Sequence, residues 1–301
     1  MNAMLSVAAQ HLVILQPDDK TYPIAAASHL SRALCLFQNE LSNTSTVIHL
    51  DAFIATSVLL QYGVWASTDF CSTQDNGVVS FDPEKDRIFA LSSALKQVFL
   101  QSVSLVSGKL SVLLTHVAYN PRDVLVEAAQ ISNDTLARYQ AFFSYNRPLN
   151  IEHLNMPRLF AGNTDLAIST PWKNFHKIPE ASDSIGMRYA HIISELCLIL
   201  SFLPESKPPE SVSTEKPLLP ELVRYIFSFP MMCRGLFVSM LQQSDPHALF
   251  LLYHFYRAVR ILCPLDQCWW AYKRAMLSET FLREWLVRES GRVPSEPTRP
   301  V

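Results

Sequence analysis

Residues 244–262, SDPHALFLLYHFYRAVRIL, carry the clearest helix signal of the chain. Asp245 is a residue type that caps helix N-termini, and Pro246 suits the first helical position because its missing N–H needs no partner there. Apolar residues then recur at helical spacing, and they are Leu249, Leu252, Tyr253, Tyr256 and Val259. This spacing places them on one face and predicts an amphipathic helix that packs against other helices.

Similar patterns on both sides of this segment predict an all-α chain. Capping residues and prolines separate the apolar blocks, as they do between helices. We expect a single helical domain over residues 1–288 with about ten helices. The expected ranges are 2–15, 22–41, 46–66, 84–107, 109–119, a pair within 121–145, 187–203, 218–229, 231–242, 244–262 and a last helix capped by Asp266.

Four stretches interrupt the helical pattern. Four prolines predict an irregular connector over residues 146–185. Residues 204–217, PESKPPESVSTEKP, predict a charged linker and a possible hinge. Residues 67–83 are polar around Asp-Asn-Gly and predict a loop, and residues 289–301 predict a disordered tail.

The composition argues against several function classes. The net charge is −2, so no overall positive field draws the chain to nucleic acid. The 7 glycines are scattered singly, unlike those of dinucleotide- and phosphate-binding loops. Cys35, Cys197 and Cys233 fall inside apolar helical runs, which predicts reduced core thiols in an intracellular protein. No apolar run reaches about 20 residues, so no membrane span is predicted.

Aromatic and methionine side chains of the apolar helices are the candidate ligand-binding groups. Trp269 and Trp270 are adjacent, so they point about 100° apart on a helix and at least one faces the core. Each candidate either packs helix against helix or lines a pocket for a hydrophobic small molecule, and both interpretations stay open. The pocket candidates are Trp65, Phe227, Met231, Tyr253, Tyr256, Trp269 and Trp270.

The polar candidates are weaker. His191 and Glu195 lie four residues apart on a helix, but neither an H-E-x-x-H spacing nor a third ligand accompanies them, so we expect no metal and no cofactor. His247 and His254 are expected on a polar helix surface. No G-x-S-x-G nucleophile motif is present, so the sequence identifies no catalytic residue.

Basic residues recur along the last helix, and glutamates alternate with them. The basic residues are Lys273, Arg274, Arg283 and Arg288. Mixed charges of this kind predict a solvated helix face rather than a nucleic-acid-binding patch.

Two blocks of the sequence resemble one protein family. The first combines H-x-x-x-A-L-x-L-F-x-x-x-L with D-A-x-x-A-x-S-x-L-L, and its residues are His29, Ala33, Leu34, Leu36, Phe37, Leu41, Asp51, Ala52, Ala55, Ser57, Leu59 and Leu60. The second contains F-S-F-P at 227–230, D-P-H-A-L-F at 245–250 and C-W-W at 268–270. In this order they resemble the C-terminal regulatory domain of fungal zinc-cluster transcription factors of the sterol-uptake-control type.

This resemblance implies an all-α domain with a hydrophobic pocket. In some members that pocket binds a sterol and thereby releases the factor from a cytosolic partner, so a location in the nucleus or cytoplasm follows. The family's zinc cluster needs six cysteines within about 30 residues. Here the six cysteines spread from residue 35 to residue 268, so we expect no direct nucleic-acid binding by this chain.

Three functional hypotheses follow from these observations. The first is a transcription regulator of metabolic or secondary-metabolite genes that acts through a hydrophobic ligand, a protein partner or self-association. The second is a stand-alone biosynthetic protein whose apolar pocket binds or cyclises a terpenoid or polyketide intermediate, since catalysis by orientation needs no sequence motif. The third is a helical scaffold without a ligand.

Overall fold

The computed structural model describes residues 1–42, 50–73, 79–81, 86–105, 113, 119–144, 185–204, 218–233 and 235–290. These residues form an all-α single domain, as predicted, with one short β-hairpin added. The helices are α1 (Asn2–Leu15), α2 (Thr21–Ser42), α3 (Leu50–Ala66), α4 (Ile88–Leu105), α5 (Arg122–Ala129), α6 (Asn133–Phe142), α7 (Ile185–Leu200), α8 (Leu219–Met232), α9 (Leu236–Gln242), α10 (Pro246–Leu262) and α11 (Trp269–Ser290).

The segment that gave the strongest sequence signal, α10, is the centre of the main core. The Asp245 side chain caps it by accepting hydrogen bonds from the backbone N–H groups of His247 and Ala248, at 2.9 and 3.1 Å. Between Ala248 and Val259 every side chain except Arg257 is buried. The helix is therefore surrounded, rather than covered on one face as its spacing predicts. His254, expected at the surface, is buried among aromatic rings for the same reason.

The first three helices form a thinner layer. The α1 helix packs on α2 and α3, and α3 in turn contacts α4 and α11. Small residues bring α1 and α2 close together, so that the Ser6 hydroxyl donates to the Ala26 carbonyl at 3.0 Å. Among the described residues of this layer, the buried apolar ones outside the main core are Ala3, Ala9, Ala26, Ala33, Ile54 and Leu60, and most of them are alanines. Cys35 on α2 is exposed, so its predicted role as a core thiol is wrong.

The predicted loop at 67–83 contains an antiparallel hairpin. Strands β1 (Cys71–Thr73) and β2 (Val79–Phe81) pair with Cys71 opposite Phe81. The Asp-Asn-Gly sequence at 75–77 lies between Phe70 and the apolar residues Val78, Val79 and Phe81. It is a hairpin signal, because Asn and Gly tolerate the positive φ angles of tight turns. The turn itself, residues 74–78, lies outside the described residues.

The predicted break at Pro230 is also absent, since α8 continues through this residue to Met232. A proline removes one backbone donor but leaves the following turn free to form. The N–H of Cys233 accordingly donates to the Phe229 carbonyl at 3.2 Å, where the helix ends. The next helix, α9, then begins at Leu236.

Several predictions fall on residues that the structure does not describe. They are most of the helix at 109–119 and of the connectors at 146–185 and 204–217. The predicted tail begins later than residue 289, because α11 continues to Ser290, and residues 291–301 lie outside the described part. Among the described helices, none is both long enough and apolar enough to cross a membrane.

Candidate functional site

Four aromatic side chains meet where α3, α8 and α11 come together. Tyr62 and Trp65 lie three residues apart on α3, so they share a face of that helix. The Tyr62 ring centroid lies 4.5 Å from that of Phe227 on α8, and the Trp65 centroid lies 5.2 Å from that of Trp270 on α11. Trp270 meets both Tyr62 and Phe227 edge-to-face at 5.3 Å, a favourable aromatic geometry. We call these four residues the aromatic junction.

The aromatic junction extends from the core to the surface. Trp65 and Trp270 are 0% and 4% exposed, whereas Tyr62 and Phe227 are half-buried. Burial raises the pKa of the Tyr62 hydroxyl, and Cys268 reinforces this shift while Arg224 opposes it. Tyr62 is therefore a neutral hydroxyl donor at the outer end of an otherwise apolar site.

The proline-containing helix α8 contributes a polar contact to the aromatic junction. Pro230 lies inside this helix and has no N–H for the carbonyl of residue 226. The buried side chain of Gln61 donates through Nε2 to the neighbouring Phe227 carbonyl at 3.1 Å. The same nitrogen lies 3.5 Å from Ser92 Oγ on α4. Gln61 thus holds Phe227 in place relative to α3 and α4.

The indole nitrogen of Trp65 is the unusual group of the site. Its Nε1 atom is buried, and it has no hydrogen-bond acceptor among the described residues. A buried donor without an acceptor costs about 1–3 kcal/mol, so native proteins keep few of them. An oxygen atom of a bound molecule would supply the missing acceptor.

Arg274 fixes the position of Trp65. It donates through Nε to the Trp65 carbonyl at 3.0 Å and through Nη2 to the Val64 and Ser67 carbonyls at 2.8 and 2.9 Å. These carbonyls end α3 and have no partner within the helix. Nη1 contacts Asp86 Oδ1 at 2.8 Å, just before α4.

Arg274 therefore corrects the prediction of a solvated basic face at this position. The side chain is 2% exposed and lies over the Phe70 ring at 4.2 Å. Trp270 lies four positions before Arg274 and Ser278 lies four positions after it, so all three lie on the buried face of α11. Burial lowers the pKa of Arg274, but Asp86 and Tyr256 together more than offset this effect, so the pKa is raised.

The structure brings together three of the seven pocket candidates, namely Trp65, Phe227 and Trp270. Tyr253 and Tyr256 are buried along α10, and Met231 is half-buried near the end of α8. Trp269 points away from its neighbour and stacks on His11 of α1 with centroids 4.7 Å apart. The adjacent tryptophans thus diverge, as their spacing predicts. Tyr62 was not among the candidates, although its spacing from Trp65 could have indicated it.

A second, polar cluster joins α5, α7 and α8. The Tyr225 hydroxyl donates to Glu195, and Arg122 Nε lies 3.5 Å from the same carboxylate. His191 Nδ1 is 3.6 Å from Glu195 Oε1. Burial raises the pKa of Tyr225 well above its usual value, and the nearby Glu195 carboxylate adds to this shift. The glutamate serves an ion-pair network here, and no set of three potential metal ligands occurs among the described residues.

Comparison with protein-family models, curated proteins and solved structures gave no match to this chain.

Proposed function

We propose that this chain is the ligand-responsive regulatory domain of a fungal transcription regulator and that it binds a hydrophobic small molecule at the aromatic junction. The observation that carries the proposal is the buried Trp65 N–H, which has no acceptor among the described residues and sits within an aromatic cluster. An apolar ligand with one hydroxyl or carbonyl oxygen, such as a sterol or an oxygenated terpenoid, would satisfy both features.

The resemblance to the sterol-uptake-control type supports the regulatory role. In this chain the F-S-F-P segment contains Phe227 and the C-W-W segment contains Trp270. Two of the segments that carry the resemblance therefore meet at the aromatic junction. The D-A-x-x-A-x-S-x-L-L segment ends at Leu60, directly before Gln61 and Tyr62. The proposed site therefore contains residues from two of the segments that carry the resemblance, and a third segment directly precedes it in the chain.

The position of the site suggests how binding would act on the rest of the protein. The aromatic junction connects α3 of the N-terminal layer with α8 and α11 of the main core. A ligand placed between these helices would change their packing and so favour one arrangement of the N-terminal layer. Release of a protein partner and altered transcription of metabolic genes, in the nucleus or cytoplasm, would follow from that change.

Ligand binding is tested on the purified full chain. Solvent extracts are analysed by mass spectrometry for co-purified lipids, and tryptophan fluorescence is titrated with ergosterol and with farnesol. We expect saturable quenching by at least one of them, and Trp65→Phe should weaken binding about three- to tenfold through loss of one hydrogen bond. Trp285→Phe is the matched control, because Trp285 is a half-buried tryptophan outside the aromatic junction. Empty extracts together with no saturable quenching would overturn the proposal.

Deletion of the gene distinguishes regulation from biosynthesis. A regulator predicts reduced transcripts of a set of metabolic genes. Unchanged transcripts together with an accumulated hydrophobic intermediate would instead indicate a biosynthetic protein.

A further inference from the structure

An open groove of about 820 Å³ runs along the outer side of α11, between this helix and the end of α10. Its lining residues are Arg260, Tyr272, Met276, Glu279, Thr280, Arg283, Glu284, Val287 and Arg288. None of the seven pocket candidates lies in it. The groove is therefore separate from the aromatic junction.

The groove presents an apolar stripe at helical spacing. Met276 and Val287 are 41% and 40% exposed, and half-buried Tyr272 continues the stripe one turn before Met276. The distance along the helix from residue 272 to residue 287 is about 22 Å. This length matches a partner helix of about four turns, whose apolar side chains would recur every three or four residues.

Positive charge surrounds the apolar stripe, although the chain as a whole has a net charge of −2. Arg260, Arg283 and Arg288 line the groove together with Glu279 and Glu284. Glu279 is already engaged by Arg260, whose Nη2 lies 3.0 Å from Glu279 Oε1. Outside this ion pair, Arg283 and Arg288 outnumber Glu284, so the lining offers a partner a net positive charge.

We propose that this groove binds an acidic amphipathic helix of a partner protein. The partner's apolar residues would cover Met276 and Val287, and its carboxylates would pair with Arg283 and Arg288. Arginine favours this role because its planar fork binds carboxylates with two hydrogen bonds. Nucleic acid fits the groove less well, since its sugars and bases would leave the apolar stripe poorly covered.

The proposal is tested with two synthetic peptides of about 15 residues, enough for four helical turns. Both have leucine at positions i, i+4, i+7 and i+11, and the flanking positions are glutamate in one and lysine in the other. Each carries fluorescein, and binding to the full chain is followed by anisotropy. We expect the chain to bind the glutamate peptide, to bind it more weakly as salt is raised, and not to bind the lysine peptide.

Two charge-reversed variants identify the surface. Arg283→Glu should weaken binding of the glutamate peptide at least about tenfold, whereas Arg32→Glu on the exposed face of α2 should leave it unchanged. If Arg283→Glu does not fold, Val287→Glu at an exposed position gives the same test. Three results would overturn the proposal. They are equal binding of both peptides, an unchanged affinity of Arg283→Glu, and tighter binding of a short labelled DNA duplex than of the glutamate peptide.

Discussion

The N-terminal helix α1 and the central helix α10 have similarly apolar sequences but are covered very differently. Between residues 2 and 15, α1 contains no Asp, Glu, Lys or Arg, and apolar side chains such as Met4 and Leu15 are 63% and 62% exposed on its outer side. In α10 every side chain between Ala248 and Val259 is buried except that of Arg257. Apolar sequence alone therefore does not determine burial, because burial also requires neighbouring elements on each face.

The size of the side chains explains part of the difference. The N-terminal layer packs largely through alanine and serine, which bring helices close together but bury little apolar area each. Its close ring contact is the stack of Phe37 on Phe53, with centroids 4.5 Å apart. The main core packs through rings, such as Phe229 stacked on Phe255 with centroids 4.3 Å apart. We infer that the main core supplies most of the stability and that the N-terminal layer is held to it mainly through α3, with the stack of His11 on Trp269 as a further contact from α1.

The largest expected effect comes from breaking the link between the two regions at Arg274. Arg274→Leu leaves Asp86 as an unpaired buried carboxylate and leaves the last carbonyls of α3 without donors. We expect a loss of about 3–5 kcal/mol in the free energy of unfolding, measured by urea denaturation. Lys273→Leu is the control, because Lys273 is the exposed neighbour. Equal stabilities of the two variants would contradict the role of Arg274.

A matched pair of leucine truncations compares the two cores directly. Leu251→Ala in α10 should lower the free energy of unfolding by about 3–5 kcal/mol, because the truncation leaves a cavity that its densely packed surroundings cannot fill. Leu60→Ala in the N-terminal layer should lower the free energy of unfolding by about 1–2 kcal/mol, since the other buried residues of its cluster are alanines and its larger neighbours Leu30, Phe37 and Leu59 are only partly buried. Both values come from urea denaturation of the full chain. A cost for Leu60→Ala as large as that for Leu251→Ala would show that the cores are equally dense.

Alkaline pH should weaken the main core. Burial raises the pKa of the Cys197 and Cys233 thiols, and it raises that of the Tyr225 hydroxyl with help from Glu195. The unfolded chain releases these protons from about pH 8.5 for cysteine and about pH 10 for tyrosine. Stability is therefore unaffected below about pH 8.5 and falls above it, because the folded state retains protons that the unfolded state loses.

Titration of the unfolding free energy against pH measures this loss. Above about pH 8.5 the slope of the unfolding free energy against pH reports how many more protons the folded state holds than the unfolded state. Cys197→Ala combined with Cys233→Ala should reduce this difference by up to about two protons. Cys35→Ala should leave the slope unchanged, since Cys35 is exposed. A slope that is the same in all three proteins would show that the buried thiols do not contribute.

The smallest effect is expected on the exposed face of α1. Leu15→Ser should change the free energy of unfolding by no more than about 0.5 kcal/mol, because the side chain is mostly in solvent. Urea denaturation measures it beside Leu251→Ala. A loss above about 2 kcal/mol would mean that this face of α1 is buried in solution.

The sequence was sufficient for features that depend on neighbouring residues along the chain. The Asp245 cap, the helix over α10 and the divergence of Trp269 and Trp270 all follow from local geometry. The sequence was insufficient where the burial of a side chain depends on a segment that is distant in the chain. Arg274 was expected in solvent because of its charge. It is buried instead, because it donates to carbonyls at the end of α3, about 200 residues earlier in the chain.

The candidate site shows the same division. Phe227 and Trp270 could be chosen as pocket candidates from their residue types, but only tertiary packing places them against Tyr62. The missing acceptor of Trp65 could not be predicted either, because hydrogen-bond satisfaction depends on every neighbour in space.

Native-state hydrogen exchange, resolved by peptide mass spectrometry, tests the contrast between the two regions most directly. We predict that amides of α10 exchange only through global unfolding, while those of α1 exchange through a local opening that costs at least about 2 kcal/mol less, a roughly 30-fold lower protection. Equal protection of α1 and α10 would contradict the account, because it would make the N-terminal layer and the main core a single cooperative unit.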